Sequence, residues 1–251
     1  MKRLRKILRG YLHEMAAWNA LRGNVKQRFT NLGYNGAALE LKAEDENERL
    51  HFQLYNTICT GVDFKGKNVL ELSCGRGGGC YFIKKYLGAS NVTGTDLSHY
   101  NIEIAKKQSS LEGITFMQQS VEEMNFAAAS FDIVVNLEAS NGYSDRKQFA
   151  ADVYKVLKPG GYFVYADIFK TSALPMVKDY LLGLGFALQR ETDLTPGVLS
   201  SIELRSKQHN SAFKKGINRL VKTFYYTPES KGFKMLQQGE QRYYSFVFKK
   251  I

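Results

Sequence analysis

Residues 68–79, Asn-Val-Leu-Glu-Leu-Ser-Cys-Gly-Arg-Gly-Gly-Gly, constrain the fold of this chain more than any other segment. Asn68 to Leu72 is a short apolar run of strand character. It breaks into a loop holding Gly75, Gly77, Gly78 and Gly79, and the pattern Tyr81, Phe82, Ile83, Tyr86, Leu87 then reads as an amphipathic helix. Glycine lets a backbone approach a ligand closely, and the free N–H groups of a helix start meet its polar atoms, so the three pieces form a nucleotide-binding corner. About 20 residues past the first glycine, the strand-like run Asn91 to Thr95 ends at Asp96, where a carboxylate can grip ribose hydroxyls. A dinucleotide fingerprint would end on glycine or alanine where this chain has Cys80, and no Gly-Lys-Ser/Thr phosphate loop is present.

The rest of the core alternates. Strand-like runs end near Leu72, Thr95, Met117, Leu137, Ile168 and Thr192, with helix-like segments between the earlier ones, which predicts a parallel sheet covered on both faces. Leu157-Lys158-Pro159-Gly160-Gly161 reads as a helix stop and turn feeding a strand from Tyr162 to Ile168. Tyr243 to Phe248 is the last strand candidate, expected antiparallel beside Phe186 to Glu191. A helical stretch is expected from about Ala43 to Thr60. The division is an N-terminal helical cap (1–60), an α/β core (61–195), a lid insertion (196–236) and a final core strand (237–251), all one structural domain.

With 251 residues and 44% hydrophobic content the chain is long enough for one well-buried core. Cys59, Cys74 and Cys80 form no paired framework and have no metal-site companions, as expected in a reducing compartment; no signal peptide is recognised, so the expected location is cytoplasmic. The net charge of +11 is uneven: residues 1–28 hold eight Lys/Arg and one acid, residues 205–251 eleven and two, and the stretch between is net acidic. A nucleic-acid enzyme would more often spread positive charge around its cleft. Basic ends on an acidic core suit an anionic membrane surface, an anionic substrate or an acidic partner, or are a solvated basic face. Leu4, Ile7, Leu8, Tyr11, Leu12, Met15 and Trp18 make an apolar helical stripe opposite Lys2, Arg3, Arg5, Lys6 and Arg9. Such a helix lies on a membrane or packs on its own core or a second subunit; packing is expected, because Met15 and Trp18 carry the stripe beyond the charged block.

Glu-Leu-Ser-Cys-Gly-Arg-Gly-Gly-Gly resembles the first motif of class I S-adenosylmethionine-dependent methyltransferases. With Phe131-Asp132-Ile133-Val134-Val135-Asn136-Leu137-Glu138-Ala139-Ser140 and the Lys-Pro-Gly-Gly turn, the order looks like the bacterial small-molecule branch containing phthiotriol/phenolphthiotriol dimycocerosate methyltransferases, with sterol C-methyltransferases more distant. The resemblance implies a Rossmann-like seven-stranded α/β sheet, mostly parallel with an antiparallel last strand, and S-adenosylmethionine as cofactor. It also implies that Glu71, Ser73, Cys74, Gly75 and Gly77 shape the methionine pocket. Asp96 takes the ribose hydroxyls, Leu97 covers the adenine, Ser120 and Val121 meet its edge, and Asn136 faces the sulfonium. Tyr34 is placed either over the cofactor or in the core. Relatives commonly have Asp at position 120 and often histidine where this chain has Asn141.

For the acceptor side, Glu138 is the acid expected as base, and the Asn141 amide is expected to orient an acceptor. The expected reaction is methyl transfer to C, N or an acidic O of a small, largely apolar metabolite (a lipid, polyketide or peptide-derived compound), with Phe213, Phe224, Tyr225, Tyr226 and Phe233 offered by the lid. The alternative is a protein that binds the cofactor but catalyses a non-methylating cyclisation or rearrangement, or serves as an interaction module.

Overall fold

The computed structural model describes Trp18, Arg22, Gly23 and residues 26–209 and 227–251. Every strand expected from the apolar runs forms: β1 (Asn68–Leu72), β2 (Asn91–Asp96), β3 (Ile114–Gln118), β4 (Phe131–Leu137), β5 (Leu157–Lys170), β6 (Phe186–Asp193) and β7 (Gln241–Lys250). They make one sheet in the order β3-β2-β1-β4-β5-β7-β6, parallel except for β7, which runs antiparallel to both neighbours. This is the Rossmann-like arrangement expected from the sequence.

Side chains alternate across the pleat, and each face is closed by helices. Val69, Ile133 and Val164 point to one face, where α1 (Arg49–Cys59), α2 (Gly78–Lys85) and α3 (His99–Gln108) bury Phe52, Phe82 and Ala105. Leu70, Val134 and Phe163 point to the other, under Phe149 and Val153 of α4 (Arg146–Val156) and Leu181 of α5 (Leu174–Gly183). Local chemistry fixes the helix starts: the Ser98 side chain accepts from Asn101 N–H to cap α3, and Asp145 accepts from Lys147 and Gln148 N–H to cap α4.

Two local expectations are revised. The Lys-Pro-Gly-Gly turn lies inside β5 as a bulge: pairing with β4 jumps from Phe131–Leu157 to Ile133–Tyr162, because Pro159 has no N–H for a ladder and Gly160 turns left-handed (φ 75°). The stretch from Ala43 is not one helix. It opens as a 3₁₀ turn (Ala43–Glu48) that aims fully buried Asp45 at Arg28, Lys85 and Tyr86, with contacts of 3.0, 2.8 and 2.6 Å, before α1 begins.

The ends of the segment expected to be a lid join the first face of the core. Val198 and Ile202 of α6 (Thr195–His209) and Phe233 and Leu236 of α7 (Lys231–Gln237) are buried there. Phe213, Phe224, Tyr225 and Tyr226 lie outside the described residues, as does the apolar stripe from Leu4 to Met15.

The chain leaves β1 toward β2 and returns on the opposite side at β4. The connections therefore diverge above the carboxyl ends of β1 and β4, the topological switch point at which open α/β sheets bind ligands.

Candidate cofactor and acceptor site

On the β1 side every second residue of the backbone is left-handed: Ser73 (φ 58°), Gly75 (φ 56°) and Gly77 (φ 81°). The Gly75 N–H donates to Asp96 Oδ2 (2.9 Å), and Asp96 Oδ1 accepts from Ser98 N–H (2.9 Å) and Asn101 Nδ2 (3.2 Å). One carboxylate thus ties the glycine loop to the start of α3. A Cβ on Gly77 would come 2.7 Å from the Phe116 ring, so the loop lies flush against its neighbours only as glycine. Leu97, next to Asp96, is 68% exposed, an apolar side chain left at the mouth of the loop. Ser120 Oγ accepts from Glu122 N–H (3.1 Å), capping the short turn that starts at buried Val121. A carboxylate at a strand end, exposed Leu97 and a glycine-rich loop fit an adenosine-bearing ligand.

Glu71 and Cys74 lie beneath this loop. Both Glu71 oxygens are engaged by the protein, Oε1 by Tyr55 O–H (2.6 Å) and Oε2 by Cys80 Sγ–H (3.0 Å), and burial pushes its carboxyl up to about 7. A Cβ on Gly79 would overlap Glu71 Oε1 and the Tyr55 ring, so α2 rests directly on this pair. Cys74 is buried, and its N–H donates to Thr95 O (2.8 Å). These residues brace the loop from within.

At the end of β4, Asn136 is fully buried. Its Nδ2 donates to Leu72 O (3.0 Å) and to the Tyr143 hydroxyl (2.7 Å), while Oδ1 has no partner among the described residues. Tyr143 also bonds Ser73 Oγ (2.8 Å). Two residues later Glu138 takes a left-handed backbone (φ 54°), strained for a non-glycine residue and common at functional sites. Its half-buried carboxylate accepts from Leu32 N–H (2.9 and 3.2 Å) and Tyr243 O–H (2.8 Å); burial lifts its pKa to about 7.

Leu32 belongs to a strap, residues 28–33, that crosses the carboxyl end of β4. Ser201 Oγ and Arg205 Nη1 of α6 donate to its carbonyl (2.9 and 3.1 Å), Phe29 packs on Gly78, and the Tyr34 ring lies against Gly36 and Gly197. Tyr34 is therefore wedged between the strap and α6.

Asn141 is committed elsewhere. Its Nδ2 donates to Asp167 Oδ1 (2.7 Å) and Ile168 O (2.8 Å), and its Oδ1 accepts from Arg146 (2.6 Å), so the amide stitches the turn after β4 to β5 and has no hydrogen left for an acceptor. Sequence reading did not single out Tyr143, Tyr243 or Asp167. Asp167 is buried, accepts from Ser140 Oγ (2.5 Å) and is raised in pKa by burial. Among the described residues no acidic, cysteine or histidine cluster could hold a metal ion.

Loop, carboxylate and switch point together fit an adenosine cofactor on a Rossmann-like sheet. Residues 70–165 match the family described as Methyltransferase domain. The chain is 42% identical over 149 residues to the phthiotriol/phenolphthiotriol dimycocerosates methyltransferase of Mycobacterium tuberculosis, covering 58% of this chain and 55% of that protein. It is 35% identical over 177 residues to the probable phthiotriol/phenolphthiotriol dimycocerosates methyltransferase 2 of Mycobacterium ulcerans, covering 70% and 69%. In fold it resembles the geranyl diphosphate C-methyltransferase of Streptomyces coelicolor A3(2), with TM-score 0.68, 14% identity and coverage of 95% and 98%. The chain belongs to the S-adenosylmethionine-dependent methyltransferase family. Its match spans about half the length of the M. tuberculosis relative.

Proposed function

We propose that this protein moves a methyl group from S-adenosylmethionine to a small, largely apolar acceptor of lipid, polyketide or peptide-derived type, at C, N or an acidic O. The observation that carries the reading is the Gly75–Asp96 hydrogen bond; with left-handed Ser73 and Glu138 just after β1 and β4, it supports a cofactor loop and a half-buried acid meeting at one switch point. The named activities of the M. tuberculosis and M. ulcerans relatives support a lipid-like acceptor.

S-adenosylmethionine supplies an electrophilic methyl on a sulfonium that is already a good leaving group, so the protein's work is alignment and exclusion of water. Asp96 and Leu97 hold the adenosine. Asn136 and Ser73 face the methionine end. Glu138, held by Leu32 N–H and Tyr243 O–H and with a pKa near neutrality, takes a proton from an acidic acceptor at its carboxylate. The strap and α6 close the crevice above it. Free, buried cysteines support a cytoplasmic setting, and no described helix is long and apolar enough to cross a membrane.

The test is calorimetric titration with S-adenosylmethionine and S-adenosylhomocysteine, followed by intact mass of candidate acceptors incubated with protein and cofactor. Asp96→Ala is expected to weaken binding of either ligand by roughly 1.5–3 kcal/mol, the worth of a charged hydrogen bond. Wild-type protein that binds neither, or binds NAD equally well, refutes the reading.

A further inference from the structure

Tyr143, on the turn after β4, joins the two sides of the switch point. Its hydroxyl receives one Asn136 amide hydrogen (2.7 Å) and contacts Ser73 Oγ (2.8 Å). The Leu72 carbonyl receives the other amide hydrogen (3.0 Å), and only the nitrogen can sit against that oxygen, so the orientation of the Asn136 amide is fixed. Oδ1 is thereby turned away, buried and unpartnered among the described residues. A phenol has one proton. The contact with Ser73 Oγ can run either way; because the Asn136 amide uses Tyr143 only as an acceptor, the phenol proton is left over and can be given to Ser73 Oγ when the serine's own proton turns to a ligand. Burial raises the Tyr143 pKa and keeps the phenol protonated. The outcome is one uncommitted acceptor, Asn136 Oδ1, beside a Ser73 hydroxyl that Tyr143 can back with its own proton, at the carboxyl ends of β4 and β1.

A second observation bears on Ser73. Its backbone is left-handed (φ 58°), a conformation glycine adopts freely and serine does not, so its hydroxyl is carried at a position that disfavours a side chain.

We propose that Tyr143 is a positioning residue that sets Ser73 and Asn136 to read the amino-acid zwitterion of the cofactor, the carboxamide oxygen facing its positive charge and the serine hydroxyl its carboxylate. This rests on the cofactor reading above and adds how the site separates a ligand with an amino-acid tail from one that has only the adenosine.

The experiment is calorimetric titration of wild type, Tyr143→Phe, Ser73→Ala and Ser73→Gly with S-adenosylhomocysteine and with methylthioadenosine. The second ligand keeps the adenosine and thioether but lacks the amino-acid end. Phenylalanine preserves the ring packing on Phe149 (centroids 4.8 Å apart), so the variant keeps its fold, checked by thermal melting. Each variant is expected to lose about tenfold in affinity for S-adenosylhomocysteine, one hydrogen bond's worth, and less than about twofold for methylthioadenosine. The double variant Tyr143→Phe/Ser73→Ala is expected to lose no more than either alone, because both cut the same relay. Ser73→Gly is expected to melt higher than wild type while binding S-adenosylhomocysteine more weakly, opposite signs that a merely structural serine does not give. Equal losses for both ligands, or unchanged S-adenosylhomocysteine affinity in folded Tyr143→Phe, overturn the proposal. Wild type that binds neither ligand overturns the cofactor reading itself, and the proposal with it.

Discussion

Glu71 and Glu138 are both carried to pKa values near 7 by burial, yet they face different tasks. Glu138 stands at the end of β4 with the strap and Tyr243 around it, and in the proposed role of base its ionised fraction would set the rate. Turnover of an acidic acceptor is expected to rise through about pH 7 and then level off, and Glu138→Gln to remove that limb and cost roughly 100-fold in rate. Initial rates of both proteins from acidic to alkaline pH decide it; an unchanged profile in the variant eliminates Glu138 as base. Glu71 is sealed under the loop, and its protonation is read in stability. Its folded pKa lies above the unfolded value of 4.5, so the native state binds more protons between those two pH values. Its contribution is therefore complete below pH 4.5 and lost as pH rises through about 7. The full shift corresponds to at most about 3 kcal/mol. Denaturant melts of Glu71→Gln are expected to show a flatter loss of stability between pH 5 and 8 than wild type, and parallel curves would contradict the assignment.

At the scale of elements, the strap, α6 and β4 behave as one closure. Leu32 is bonded to Glu138 on one side and to Ser201 and Arg205 on the other, while Tyr34 lies on Gly197. A Cβ at position 197 would overlap the Tyr34 ring, so Gly197→Ala forces the ring or the helix to shift. The expected result is a KM for the acceptor raised about tenfold, on the scale of an overpacked contact, with cofactor Kd within about twofold. Steady-state kinetics beside calorimetry separates the two, and a matching rise in cofactor Kd would show that the strap serves the cofactor instead. The elements themselves were legible because strand runs with period two and a glycine-broken turn are local signals. At the candidate site, the sequence could place only residues that lie on or next to those elements, such as Gly75, Asp96, Asn136 and Glu138, whose roles are proposals. Tyr143 meets Ser73 across 70 residues and Tyr243 meets Glu138 across 105, and no local pattern encodes such pairings. The Asn141 amide shows the same limit: its partner Asp167 comes from the next strand, 26 residues on.

Across the whole molecule, the basic N-terminus feeds into the strap at a fixed place. Arg28 is paired with buried Asp45 (3.0 Å), and its N–H donates to Glu48 (2.7 Å), so the chain is anchored at this point to the turn before α1. In the helix that the sequence predicts, the apolar stripe from Leu4 to Trp18 would need cover and five basic residues would line its opposite face. We expect the stripe to pack over the cleft or against a second copy of the chain, leaving the basic face toward an anionic surface. Deleting residues 2–22 keeps Arg28 and its anchors and removes only that cover. The truncated protein is expected to change oligomeric state or lose solubility, and to lose turnover more than cofactor affinity. A helix serving only as a membrane anchor gives the opposite pattern: a soluble, fully active truncation that no longer sediments with anionic vesicles. Light scattering, vesicle sedimentation and a turnover assay on the same truncated protein distinguish the two, and full activity in solution with unchanged mass refutes the packing role.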